Sequence, residues 1–124
     1  MDPTNDLTYR VIGLAMRVHS HLGPGLLESA YESCLCHELD RNAITHRRQV
    51  DLPLRYEGIE LSCVYRADII VEPDVILKIK AVDQIVPIHE AQILTYLRLS
   101  DCRIGLLMNF NTTSLKQGIR RFIL

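Results

Sequence analysis

Val64-Tyr-Arg-Ala-Asp-Ile-Ile-Val71, then Glu72-Pro73-Asp74, then Val75-Ile-Leu-Lys-Ile-Lys-Ala-Val82, is the stretch on which the fold turns. Two runs rich in β-branched residues flank a three-residue turn signal, the pattern of a β-hairpin. With the turn centred on Pro73, Val71 pairs with Val75, Asp68 with Lys78 and Arg66 with Lys80. Cross-strand partners share a face, as do residues two apart along a strand, so Asp68, Lys78 and Lys80 project together. Ala67, Ile69, Val71, Val75, Leu77 and Ile79 form the opposite, apolar face, which demands a covering layer. One acid and two ammonium groups on an otherwise apolar hairpin ask for a chemical reason.

Working upstream, Asn5 to Leu22 carries Leu7, Val11, Leu14, Ala15, Val18 and Leu22 at helical spacing, with Thr4 or Asn5 as the expected cap. His19 and His21 are two apart, which rules out a shared metal and predicts surface or half-buried rings. Gly23-Pro24-Gly25 connects to a second helix, Leu26 to Arg41, with a core stripe of Leu27, Tyr31, Cys34 or Leu35, and Leu39. Ile44 to Tyr56 alternates as a strand that Pro53 confines to a sheet edge or a bulge. Glu57-Gly58 turns the chain into a long strand, Ile59 to Val71.

Downstream, Pro87 or Ile88 opens a third helix ending near Leu99, and the apolar run Ile104 to Phe110 reads as a strand covered on both faces. Strand, helix and strand in this order imply a right-handed crossover with parallel strands. Leu115 to Leu124 reads as a last helical turn and a terminal strand. The economical architecture is one domain over residues 1–124 of the α/β or α+β class, a mixed central β-sheet flanked by helices.

Composition sets bounds on function. At 124 residues, 48% apolar and 23% charged, the chain can bury roughly two-thirds of its unfolded surface without a disulfide or metal staple. The net charge of −1 supplies no global attraction to nucleic acid, so such binding requires a local basic patch. No apolar run approaches the ~20 residues of a membrane span, and the first residues lack a secretion pattern, so a cytoplasmic protein is expected. Cys34, Cys36, Cys63 and Cys102 lack paired metal spacing and are expected as buried free thiols.

Several ordered motifs then carry a resemblance. Gly25-Leu-Leu-Glu28-Ser-Ala-Tyr31 is similar to the signature of the GxxExxY proteins, a branch of the PD-(D/E)XK nuclease-like superfamily. Tyr65-Arg-Ala-Asp68, Lys80-Ala-Val82, the helix from Pro87 through Gln92 and Tyr96 to Leu97, Gly105-Leu-Leu-Met-Asn109-Phe110 and Gly118-Ile-Arg-Arg121 continue it over nearly the whole chain. The resemblance implies a restriction-endonuclease-like core and a phosphodiester hydrolase using Mg²⁺ or Mn²⁺. It assigns Glu28 and Asp68 as metal ligands, Lys80 as catalytic lysine and Gln92 as a residue bordering the site. A hard cation of this kind neutralises charge on the phosphorus and acidifies a bound water. Arg66, Lys78, Tyr31 and Tyr96 would face nucleic acid, with DNA the expected polymer. A homodimer is one way for so small a chain to grip it.

Position 78 departs from the resemblance. Where an acid-x-Lys triplet is implied, the chain has Lys78-Ile79-Lys80, a two-unit charge reversal beside the expected cation. At ~4 Å and an effective dielectric near 20, each unit pair is worth about 4 kcal/mol. Three readings compete: an inactive nuclease fold, a migrated acid with Glu90 the best candidate, or a weak enzyme using Glu28, Asp68 and one loosely held metal. A non-catalytic module binding nucleic acid or protein is the alternative function, and an ion-paired structural site is the plain one. Arg47, Arg48, Lys116, Arg120 and Arg121 would extend a basic rim or lie as solvated surface charges.

Overall fold

The computed structural model describes residues 3–124, without the side chains at 3, 4, 63 and 64, so the Cys63 thiol and the Thr4 cap lie outside the described residues. Helices α1 (Pro3–Leu22) and α2 (Glu28–Arg41) precede strands β1 (His46–Tyr56), β2 (Ile59–Val71) and β3 (Val75–Lys80). Then come α3 (Pro87–Leu99), β4 (Ile104–Asn109), the short α4 (Leu115–Gly118) and β5 (Ile119–Ile123). The five strands lie in sequence order. β3 and β4 run parallel through the α3 crossover, and the other neighbours are antiparallel. This is the mixed, helix-flanked α+β sheet that the element order implied. Among the described residues no helix is long and apolar enough to cross a membrane.

Two apolar clusters sandwich the sheet. α1 and α2 lay Val11, Ala15, Val18, Tyr31, Leu35 and Leu39 against Ile69, Val71, Leu77, Ile79, Leu106 and Met108. α3 lays Ile93, Tyr96 and Leu97 against Leu52, Ala67, Ile70 and Ile76 on the other face. β4 is buried along its whole length, as its unbroken apolar run required. Gly105 lets α3 lie close on it, since a Cβ there would meet Ile93 Cγ1 at 2.9 Å.

Ala67 departs from the expected face. It belongs to the α3-side cluster, although Ile69 and Val71 face α1 and α2. The pairing of β1 and β2 passes from Arg48↔Ile69 directly to Val50↔Ala67, and Gln49, opposite Asp68, has φ 50°. Arg48 and Gln49, adjacent in sequence, both reach Glu32 on α2. Strand alternation therefore inverts at Gln49 and Asp68 in both strands together, which keeps their register. Pro53 lies on this edge strand and also at a second irregularity, between Leu52 and Leu54, so both placements expected for a residue without a donor are met.

Three smaller corrections concern the helices. α1 starts at Pro3, ahead of Asn5, whose carbonyl already accepts the Thr8 hydroxyl at 2.9 Å. Leu27 is 78% exposed because α2 begins only at Glu28, with Leu27 extended at its N-cap. His19 is buried, its Nε2 2.8 Å from the Thr112 carbonyl and its ring tilted against Phe110. Cys36 and Cys102 are buried thiols as expected, and Cys34 is half-buried.

Tyr31 ties the Gly23-Pro24-Gly25 connector to the core. Its ring stacks on Phe110 with centroids 4.5 Å apart, and its hydroxyl donates to the Gly23 carbonyl at 2.6 Å and accepts from Leu26 N–H at 3.1 Å. Tyr31→Phe keeps the packing and loses both bonds. Chemical denaturation should show a loss of about 1–2 kcal/mol, as a lower midpoint at unchanged m-value.

Candidate functional site

Regular β2/β3 pairing holds Val71↔Val75, Ile70↔Ile76 and Ile69↔Leu77, in the register expected from the turn. One step further the ladder gives way to side chains. Asp68 Oδ2 accepts from Ile79 N–H at 2.8 Å, and Lys78 Nζ lies 3.4 Å from Asp68 Oδ1. Glu28, the first residue of α2, accepts from Ala81 N–H through Oε2 at 3.0 Å. Amides two apart on a strand face the same edge, so two carboxylates cap the length of β3 that β2 has released. A buried strand edge needs such partners.

Lys78 and Asp68 are each 15% exposed at the side chain. The Lys78 ammonium sits 5.5 Å from the centroid of Tyr96, which packs edge-on to Tyr65. Burial pushes the Asp68 carboxyl above the usual carboxylate range, the Ile79 N–H and Lys78 pull it back down, and Glu32 pushes it up again. Burial is the largest of these effects. Desolvation is thus only partly offset by the pairing.

Glu32 is the residue that sequence reading did not single out. It is 8% exposed, with Oε2 2.8 Å from Arg48 Nη2 and Oε1 2.9 Å from Gln49 Nε2. The signal was the spacing Glu28-x-x-x-Glu32, which puts both acids on one line of a helix. Burial pushes the nearby Cys36 thiol up to about 11, against the pull of Arg48.

The remaining candidates are distributed unevenly. Lys80 is half-buried opposite Asn109 and has no ion-pair partner among the described residues. Asn109 in turn clasps Val82, accepting from its N–H at 3.0 Å and donating to its carbonyl at 2.9 Å. Gln92 is half-buried on α3, one turn before Tyr96.

Others are drawn elsewhere. Glu90 is not brought to Asp68; Arg120 on β5 holds it at 2.5 Å. Arg66, expected opposite Lys80, pairs with Asp51 on β1 at 3.1 Å, because β2 parts from β3 beyond Ile69. Tyr31, expected to face nucleic acid, is fully buried, and Tyr96 is 8% exposed beneath Lys78. The expected basic rim is largely neutralised: Arg47 pairs with Glu72, Arg48 with Glu32 and Arg120 with Glu90, while Arg121 bonds Asn5.

The donor set does not fit a divalent cation. Among the described residues no group of three His, Cys, Asp or Glu could hold a metal ion. Asp68 faces an ammonium, and Glu28 is engaged by a backbone amide. A hard cation needs oxygen ligands rather than a second cation beside the first.

A protein-family profile described as PD-(D/E)XK nuclease superfamily matches residues 5–122. Comparison with curated proteins and with solved structures gives no significant match.

Proposed function

The chain belongs to the PD-(D/E)XK nuclease superfamily, and from that premise we propose a nuclease-fold protein that holds nucleic-acid phosphate without hydrolysing it. The observation that carries this reading is the Lys78 ammonium 3.4 Å from Asp68, at the fork where β2 leaves β3. Lys78 brings a positive charge to the Asp68 carboxylate, so no strong cation ligand set remains there. Lys80, lacking an ion-pair partner among the described residues, is left as the cation that meets a phosphate. A phosphodiester oxygen accepting from Lys80 would be held by charge and hydrogen bonding alone, with no group supplying an activated water. The GxxExxY signature and a preference for DNA are the narrower parts of the same reading.

Fluorescence anisotropy with single- and double-stranded DNA and RNA tests the binding half. Affinity should fall steeply with salt, and Lys80→Ala should weaken binding to every sequence and reduce the salt slope by about 1. A cleavage assay in Mg²⁺ and Mn²⁺ tests the other half, and the unaltered chain should cut none of the four substrates. Cleavage abolished by Asp68→Ala would overturn the proposal in favour of a working enzyme.

A further inference from the structure

Beyond Leu52 the β1/β2 hairpin continues as a two-stranded arm with Leu54↔Leu61, Arg55↔Glu60 and Tyr56↔Ile59 opposite one another. Glu57 and Gly58 close it at φ 49° and 81°. Two positive φ values in a two-residue loop match the twist of the strands, so the arm is a tight hairpin. Leu54, Tyr56, Ile59 and Leu61 share one face, since they are cross-strand pairs two residues apart. Tyr56, Ile59 and Leu61 are 64%, 59% and 43% exposed. The other face carries the Arg55–Glu60 ion pair at 3.4 Å, and Arg55 borders a hollow with Arg98 and Leu99 of α3. The apolar face is therefore turned away from α3 and left bare.

A groove of about 400 Å³ between α1 and α2 has the complementary character. Val18, Leu22 and Cys34 supply its apolar lining, and Arg17, Arg41 and Glu38 its rim. Arg17 and Arg41 share the single carboxylate of Glu38, at 3.5 and 3.7 Å. On the arm the arithmetic is reversed: Glu57 and Glu60 accompany the single guanidinium of Arg55. The groove keeps one positive charge in surplus and the arm tip one negative charge.

We propose that two copies of this chain associate by reciprocal exchange, the arm of each laying Tyr56, Ile59 and Leu61 into the α1/α2 groove of the other. Two-fold exchange makes every contact twice, which is how a short arm approaches the roughly 1,200 Å² of a specific interface. Complementary surplus charge sets the register and opposes an arm meeting an arm.

Sedimentation equilibrium over a wide concentration range tests this, with far-UV circular dichroism to verify that each variant folds. The unaltered chain should form dimers, and Tyr56→Ser should weaken them about tenfold or more. Glu57→Arg and Arg41→Glu should each weaken self-association. An equimolar mixture of these two variants should recover dimers, since the altered arm of one chain then meets the altered groove of the other, and the native arm meets the native groove. A chain that stays monomeric throughout, a dimer indifferent to Tyr56→Ser, a mixture that does not recover, or an open series of larger species would each overturn the proposal.

Discussion

Lys78→Glu is expected to show a metal-dependent stability and a metal-dependent nuclease activity, and under the proposed function the unaltered chain should show neither. The substitution removes the ammonium 3.4 Å from Asp68 and puts a carboxylate on the same strand position. Without a cation the change is unfavourable, because two like charges then share a site where burial already pushes Asp68 upward. With Mn²⁺ or Mg²⁺ the same two carboxylates become a ligand pair. At a cation concentration 100-fold above its dissociation constant, linkage adds about 2.7 kcal/mol, or roughly 10 °C in the melting temperature for a chain of this size. The unaltered chain should melt at the same temperature with and without the cation.

Removing one unfavourable charge interaction of about 4 kcal/mol corresponds to roughly 10³ in cation affinity, so cleavage by Lys78→Glu should rise above background as the cation is added. Lys78→Glu with Asp68→Ala should lose both effects. A variant that binds the cation but does not cut would show that the nuclease site lacks more than one acid. A variant indifferent to metal in both assays would refute the metal position that the resemblance implies at the fork.

Asp68→Ala in the unaltered chain is expected to destabilise it by about 2–3 kcal/mol, although a catalytic acid can often be removed at little cost in stability. Here the carboxylate does structural duty: it accepts from Ile79 N–H and faces Lys78. Its loss leaves a buried amide unpaired and strands an ammonium that is only 15% exposed. Replacing Lys78 with methionine in the same chain removes the stranded charge, so the double variant should be more stable than Asp68→Ala alone. Denaturant titrations of the four proteins give the coupling directly. Additive losses would show that the pair contributes nothing as a pair.

The pH dependence follows from the direction of the Asp68 shift. Burial holds its folded pKa above the unfolded carboxylate value of about 3.9, so between the two the folded state binds more protons. The stability linked to this group is fully present below the unfolded value and is lost as pH rises through the folded one. Asp68→Asn, which keeps an acceptor for Ile79 N–H, should remove that decline. Melting temperatures of the two proteins should show the unaltered chain falling relative to Asp68→Asn as pH rises above about 3.9, and parallel curves would refute it.

Much of this molecule was legible along the chain because the governing forces are local or periodic. The turn residues Glu72 to Asp74 and the β-branched runs beside them determined the hairpin register from Ile69 to Leu77, and the uninterrupted apolar run from Ile104 determined a strand covered on both faces. The same stretch exposed Lys78 as the residue that contradicts a metal site, since charge at a strand position is read directly. What only the tertiary structure decided arises where chain segments distant in sequence compete for the same partner. Arg120 holds Glu90 and Asp51 holds Arg66, so neither joins the fork.

The connector requires the Tyr31 hydroxyl, which takes that ring out of any binding surface. Arg48 and Gln49, adjacent in sequence, both reach Glu32 where Gln49 and Asp68 invert the strand alternation together, a distortion for which period-two reasoning has no signal. Residue type and spacing set which groups are available. Burial, by forcing every polar atom to find a partner, decides which of them remain free to meet a ligand.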